Sequence, residues 1–346
     1  MTRRLLLTAH QWVGLFGALF LIVIGVTGSA LVFEVEIDRA LNPATSYVTP
    51  RGQRMPIEAL IARALAAAPT DVVTGIRIAE TPGIADEVLL EGGRFATVDP
   101  YTGTVLGVRD RDTSVARRLH LLHTSLLADD FGERVVAWMC VAMLFLAISG
   151  IYLWWPRRIL AVRNALSWKR TNFDLHNVFG FYSSIVLLVM ALSGILIAFG
   201  TTTDPILRRL NGAPSQPAPQ SLPVQRGRIS LDAAVEIAER ALPGAAATVV
   251  NVPAASNNPF RVLKKFPEDR TPAGRSAVYI DQFSGKVLLV QNTRTAPLGT
   301  RIINAKRSAH TGDIFGAPTR ALYFIVGLAI AVQAITGSLI AWNGRA

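Results

Sequence analysis

The chain has 346 residues, 51% of them hydrophobic and only 17% charged, and its mean hydropathy is +0.36. That balance excludes an ordinary soluble domain and indicates a membrane protein. The formal net charge of +11 calls for no nucleic-acid partner, because the basic residues gather beside apolar segments, as they do on the cytoplasmic side of membrane proteins.

Arg3 and Arg4 precede the first apolar stretch, Trp12 to Phe33. It carries no charge and exceeds the roughly 20 residues that span a bilayer. Its run is too long for a secretory h-region and no A-x-A site follows, so it reads as a retained signal anchor. Val135 to Trp155, Val178 to Gly200 and Ala321 to Trp342 are three further uncharged stretches of that kind. Arg157, Arg158, Arg163, Lys169 and Arg170 fill the short loop between the second and third, and Arg345 follows the fourth. This places both termini and that loop in the cytoplasm. The long connections 34–134 and 201–320, which hold nearly all the acidic residues, lie outside it. Trp12, Trp154, Trp155, Trp168 and Trp342 form an aromatic belt at the cytoplasmic face. The single cysteine, Cys140, permits neither a disulfide within the chain nor a thiolate metal site.

The sequence repeats itself. HQWVGLFGALFLIVIGVTGSALVF (10–33) aligns without gaps on HNVFGFYSSIVLLVMALSGILIAF (176–199), and AISGIYLWW (147–155) aligns on AITGSLIAW (334–342). In the outer connections IEALIARALAAAP (57–69) and SLDAAVEIAERALPG (230–244) read as short amphipathic helices, the second with Ser230 as N-cap and Gly244 near its stop. β-like runs follow each, and each repeat closes on a hairpin, 96–108 and 277–290, with D-x-x-[ST]-G at the turn. The expectation is two small extracytoplasmic α+β domains on a four-helix membrane bundle, the halves being parallel repeats. The proline-rich stretch 211–228 reads as a linker. The expected segments are 1–33 (N-terminus and first span), 34–118 (first outer domain), 119–155 (histidine segment and second span) and 156–175 (cytoplasmic loop). They continue with 176–200 (third span), 201–300 (linker and second outer domain) and 301–346 (histidine segment, fourth span and C-terminus).

Four of the five histidines obey the repeat. His10 and His176 begin spans one and three. His123 and His310 lie 27 residues before Gly150 and Gly337 and precede spans two and four. Each face of the membrane thus receives two histidines, one from each half. Histidines at a membrane are costly and mark function. Two are too few for zinc, and the spans offer no carboxylates for hard cations. A porphyrin supplies four nitrogens, so two axial histidines complete its iron. The absence of C-x-x-C-H excludes covalent attachment. The expectation is two haem b groups, with His10, His176, His123 and His310 as iron ligands. Gly14 and Gly180, four residues past a histidine, either clear space for the macrocycle or permit close helix packing. Gly28 and Gly194 lie roughly 27 Å further along their helices, near the outer haem, and Gly150 and Gly337 lie near the inner one. Arg117, Arg118, Lys306 and Arg307 outside, and Arg157 and Arg158 inside, are candidate partners of haem carboxylates. Gln333, mid-span, bonds either a neighbouring helix or the cofactor. His120 stands one turn before His123 as a spare ligand, a proton donor or a solvated residue.

The motifs AHQWVGLFGALF, LHLLHTSLL, ISGIYLWWPRR, LHNVFGFY and AHTGDIFGAPTRALYFIVGLAIAVQAITGSLIAW resemble the PepSY-associated transmembrane family over almost the whole chain. The outer domains are similar to PepSY modules. The resemblance implies an inner-membrane protein of Gram-negative bacteria, similar to di-haem siderophore reductases. Such a protein passes electrons from a cytoplasmic donor to a periplasmic ferric siderophore. Carried over by position, the ligands are the same four histidines, with His120 an alternative to His123. No flavin, dinucleotide or P-loop motif occurs, so the donor is another molecule. Two other readings remain open: a di-haem conduit to another periplasmic redox protein, and a non-redox anchor whose PepSY modules bind a partner.

Overall fold

The computed structural model describes residues 2–163, 167–210, 219–222 and 227–343. They fall into two compact units: Met1–Glu34, Arg118–Leu207 and Ile302–Ala346 in one, Val35–Arg117 and Arg208–Arg301 in the other.

The first unit is a helical bundle. α1 (Thr2–Leu31) belongs to it, whereas the short α2 (Glu34–Leu41) and α3 (Pro43–Ser46) that follow fall in the second unit. α4 (Ile57–Ala67) belongs to the second unit. α5 (Val115–Ser125) and α6 (Asp129–Trp154) then form a helical hairpin, followed by α7 (Trp168–Ala198) and α8 (Gly200–Leu210). After α9 (Leu231–Ala241) in the second unit, α10 (Leu298–Thr311) turns into α11 (Ala317–Asn343). Helices α1, α6, α7 and α11 are long and apolar enough to cross a membrane. α1 packs on α11 and α6, and α7 packs on the same two, so α1 and α7 stand diagonally. Their outer faces carry exposed apolar side chains such as Phe16, Leu19 and Ile185, as lipid contact demands. Small residues bring α1 and α11 together: a Cβ on Gly25 would lie 2.8 Å from Gly327 O, and Ser29 Oγ donates to Phe324 O at 3.0 Å.

The second unit is an antiparallel sheet on which α4 and α9 pack. Its strands are β1 (Val73–Arg77), β2 (Asp86–Leu90), β3 (Arg94–Val98), β4 (Val105–Asp110), β5 (Ala246–Asn251), β6 (Phe260–Lys265), β7 (Ser276–Ile280) and β8 (Val287–Gln291). The expected helices and hairpins are present. Ser230 Oγ accepts from Ala233 N–H at the start of α9, and Gly103 and Gly285 take positive φ at the two turns. The expectation of two separate outer domains needs correction. The strands run β4-β3-β2-β1-β5-β6-β7-β8 in one sheet, with Ile76 opposite Val250 at the seam. Each four-strand half would leave β1 or β5 as a bare edge, and pairing them removes both edges. Gly75 permits the approach, since a Cβ there would lie 2.5 Å from Val250 O. One core runs beneath both helices, from Leu60, Ile61 and Ala64 to Leu231, Ala234 and Ala238.

The helices also cap each other. Asp232 of α9 accepts from Ile57 N–H (2.7 Å) and Glu58 N–H (3.2 Å), while Glu58 accepts from Leu231 N–H (3.4 Å). Of the expected linker, 211–218 and 223–226 lie outside the described residues. Residues 219–222 are docked: Ser221 Oγ accepts from Gln282 N–H, and Leu222 N–H donates to Asp281.

Candidate functional site

His10 and His176 stand inside their helices, each eight residues past the first residue, Thr2 or Trp168. Because α1 and α7 are diagonal, the two rings meet across the bundle axis with centroids 6.5 Å apart. At the opposite end His123 and His310 come from α5 and α10, the short helices that precede spans α6 and α11. Positive φ at Leu126 and Leu127, and at Gly312, turns the chain between helix and span. These two rings lie 6.3 Å apart. The structure thus brings together the two pairs that the repeat predicts.

Each of the four rings has a hydrogen-bond partner at Nδ1. Thr336 Oγ1 lies 2.7 Å from Val332 O and 3.0 Å from His176 Nδ1, so with its proton on that carbonyl it accepts from the ring. Ser149 Oγ likewise donates to Phe145 O (2.6 Å) and meets His10 Nδ1 at 2.7 Å. His123 Nδ1 lies 3.0 Å from Ile24 O and 3.2 Å from Thr27 Oγ1, whose proton goes to Val23 O. His310 Nδ1 lies 3.0 Å from Met190 O and 3.2 Å from Ser193 Oγ, whose proton goes to Val189 O. Carbonyls only accept, so His123 and His310 donate from Nδ1 to Ile24 O and Met190 O and keep the lone pair on Nε2. At His10 and His176 the Nδ1 partner is a hydroxyl, which accepts from the ring when its own proton is on the helix carbonyl. Histidines that ligate metals are oriented this way, with the distal N–H held by a carbonyl or hydroxyl.

The glycines serve the rings. A Cβ on Gly28 would lie 2.8 Å from His123 Cε1, on Gly337 3.0 Å from His176 Cε1, on Gly194 3.2 Å from His310 Cε1, and on Gly150 3.5 Å from His10 Cε1. Each glycine follows the Ser or Thr that accepts from the same ring, or shares that bond with a carbonyl. The S/T-G pair is therefore a seat for one histidine edge. Gly14 and Gly180 face no histidine: a Cβ there would lie 3.8 Å from Leu146 Cδ2 and 3.2 Å from Gln333 Oε1. Gln333 Nε2 donates to His176 O at 2.8 Å, bonding a neighbouring helix. Asn172, buried, donates to Thr336 O at 3.0 Å and steadies the same turn. It has no counterpart in the first half, and nothing in the sequence pattern marks it.

His120 points elsewhere, with Nδ1 3.9 Å from Glu34 Oε1. Lys306 bonds Asp204 (2.7 and 2.9 Å) and Leu196 O, and Arg117 bonds Asp112. Arg157 lies over Phe173 and Arg158 over Trp155.

Among the described residues no group of three or more His, Cys, Asp or Glu could hold a bare metal ion. The donor set at each end is two imidazoles, each with Nδ1 turned to a hydroxyl or carbonyl. A metal–imidazole bond of about 2 Å on both sides, plus roughly 1 Å from each nitrogen to its ring centre, sums to about 6 Å between centroids. Both pairs match that span. These residues fit an iron whose remaining four ligands come from a macrocycle.

The family described as PepSY-associated TM region matches residues 7–345. The chain belongs to that family. Membership in the PepSY-associated TM region family agrees with the four spanning helices and with a membrane protein. A comparison with curated proteins finds no match.

Proposed function

We propose that this chain is an inner-membrane oxidoreductase that holds two b-type haems. It passes electrons across the bilayer to a ferric siderophore or similar chelate in the periplasm, releasing Fe(II). The observation that carries the reading is the pairing of the four repeat-related histidines, with ring centroids 6.5 and 6.3 Å apart and each Nδ1 on a hydroxyl or carbonyl partner. When bound, haem supplies a one-electron carrier near each face. His10 and His176 hold the cytoplasmic-side group and His123 and His310 the periplasmic-side group. Ser149, Thr336, Ile24 O and Met190 O orient those rings. Leu21, Leu187, Val326 and Ile330 pack between the pairs and keep water out of the middle of the bundle. The placement of termini and loop in the cytoplasm rests on the flanking arginines. The internal duplication is supported by the matched order of helix and four strands in each half of the sheet. Iron reduced from Fe(III) to Fe(II) is held less firmly by hard oxygen donors, which is how one electron frees it. The electron donor is a separate molecule.

The test is direct. Protein reduced by a stoichiometric amount of dithionite under nitrogen is mixed with a ferric hydroxamate chelate, with an Fe(II) indicator present. Reoxidation of the protein with matching Fe(II) release is expected. Reduced protein that stays reduced beside ferric chelates would contradict the reductase reading and leave a conduit to a redox protein.

A further inference from the structure

At the end of the bundle where α6 stops and α7 starts, a cavity of about 400 Å³ is lined by Arg157, Ile159, Arg163, Arg170 and Phe173. The lining residues Ile159 and Arg163 are both held in place. Ile159 is buried and its carbonyl accepts from Trp154 Nε1 at 2.9 Å. Trp154 itself stacks on Phe181 at 4.0 Å. Further along, Arg163 N–H donates to Asp174, a fully buried carboxylate, at 3.2 Å. Arg163 Nε (3.7 Å) and Arg170 Nε (3.0 Å) also approach that carboxylate. Arg157 and Arg170 both lie over the Phe173 ring, at 5.4 and 5.9 Å.

The charges do not balance. Three guanidinium groups face the cavity, and the one carboxylate beside them leaves a formal +2. Among the described residues no acidic side chain lines the cavity. The side chains of Arg163 and Arg170 remain largely open to solvent. The start of α7 adds the positive end of its dipole. Arg is the residue suited to bidentate phosphate binding, and a phosphomonoester carries about −1.5 to −2 at neutral pH. Trp154, Trp155 and Trp168 place the cavity at head-group depth, where basic pockets between spanning helices take lipid phosphates.

We propose that this cavity is a phosphate-binding site built by Arg157, Arg163 and Arg170. The phosphate comes from a lipid head group or from a soluble phosphorylated molecule. The inference goes beyond the haem reading and does not need it.

The experiment uses full-length protein with haem content measured first. Inorganic pyrophosphate binding is followed by calorimetry in neutral detergent, and cardiolipin retention by native mass spectrometry. Arg157→Gln is the test variant because Arg157 takes no part in the Asp174 ion pairs. Arg158→Gln is the control, being adjacent, equally charged and outside the lining. Saturable pyrophosphate binding, weakened about tenfold or more by R157Q and unchanged by R158Q, supports a soluble source. Cardiolipin retention with the same variant pattern, without pyrophosphate binding, supports a lipid source. Binding of neither probe, or equal weakening by both variants, overturns the site. Loss of haem in R157Q also overturns it, assigning Arg157 to haem carboxylates and leaving the haem reading intact. Binding that persists in protein without haem upholds the site while the haem reading fails.

Discussion

His10 and His176 depend on hydroxyls alone at Nδ1, whereas His123 and His310 also have a backbone carbonyl. This difference predicts unequal sensitivity. Ser149→Ala or Thr336→Val removes the acceptor seen at His10 or His176, and outer-shell losses of that kind cost about 10–100-fold in metal affinity. Thr27→Val and Ser193→Ala leave Ile24 O and Met190 O in place, so the loss there is smaller. Haem transfer to apomyoglobin, timed for each variant, reads the contrast; equal rates for all four would contradict it. The glycines give a second contrast. Gly28→Ala drives a Cβ to 2.8 Å from His123 Cε1, while Gly150→Ala meets His10 at an ordinary 3.5 Å. G28A is expected to lose the haem held by His123 and His310, and G150A to keep both, as measured by haem per chain. The histidines themselves were legible from their repeat spacing. The carbonyls were not, because a main-chain acceptor has no side-chain signature. That His123 and not His120 stands beside His310 was not legible either, since both lie on one short helix.

Among the elements, the two caps and the docked hairpin deserve separate tests. Asp232→Ala removes the acceptor for two N–H groups at the start of α4, and a lost cap costs about 1 kcal/mol. Glu58→Ala, whose bond is 3.4 Å, is expected to cost less; chemical denaturation of the intact chain ranks them. Asp281 sits at the β7–β8 turn. Burial raises its pKa, but bonds from the Ser284 N–H and hydroxyl, Phe283 N–H and Leu222 N–H outweigh that and bring it down to about 2. Because the folded value lies below the ordinary 3.8, its contribution is complete above about pH 4 and is lost as pH falls through about 2. Thermal unfolding of wild type should therefore weaken across that interval, and Asp281→Asn should flatten this part of the profile. An unchanged profile would show that the turn bonds do not depend on the charge. Both hairpins could be read from D-x-x-[ST]-G. The seam between β1 and β5 could not, because strand pairing between distant segments leaves only Gly75 as a trace.

For the whole molecule, the four spans and the diagonal placement of α1 and α7 turn a sequence repeat into two facing pairs of imidazoles. Apolar periodicity and length made the spans readable, since a bilayer leaves helices few alternatives. Helices α5 and α10 were read only as segments before spans, because the turns at Leu126–Leu127 and Gly312 that separate them carry a weak signal. The central claim is that each pair holds one haem. The measurement that tests it most directly is haem per chain, with oxidised and reduced visible spectra, for the wild type and for single His→Ala variants at 10, 176, 123 and 310. Two low-spin haems in the wild type are expected. His10→Ala and His176→Ala should then lose or perturb one and the same haem, and His123→Ala and His310→Ala the other. Protein from haem-replete cells that carries no haem, or variants whose losses ignore the pairing, would contradict the account.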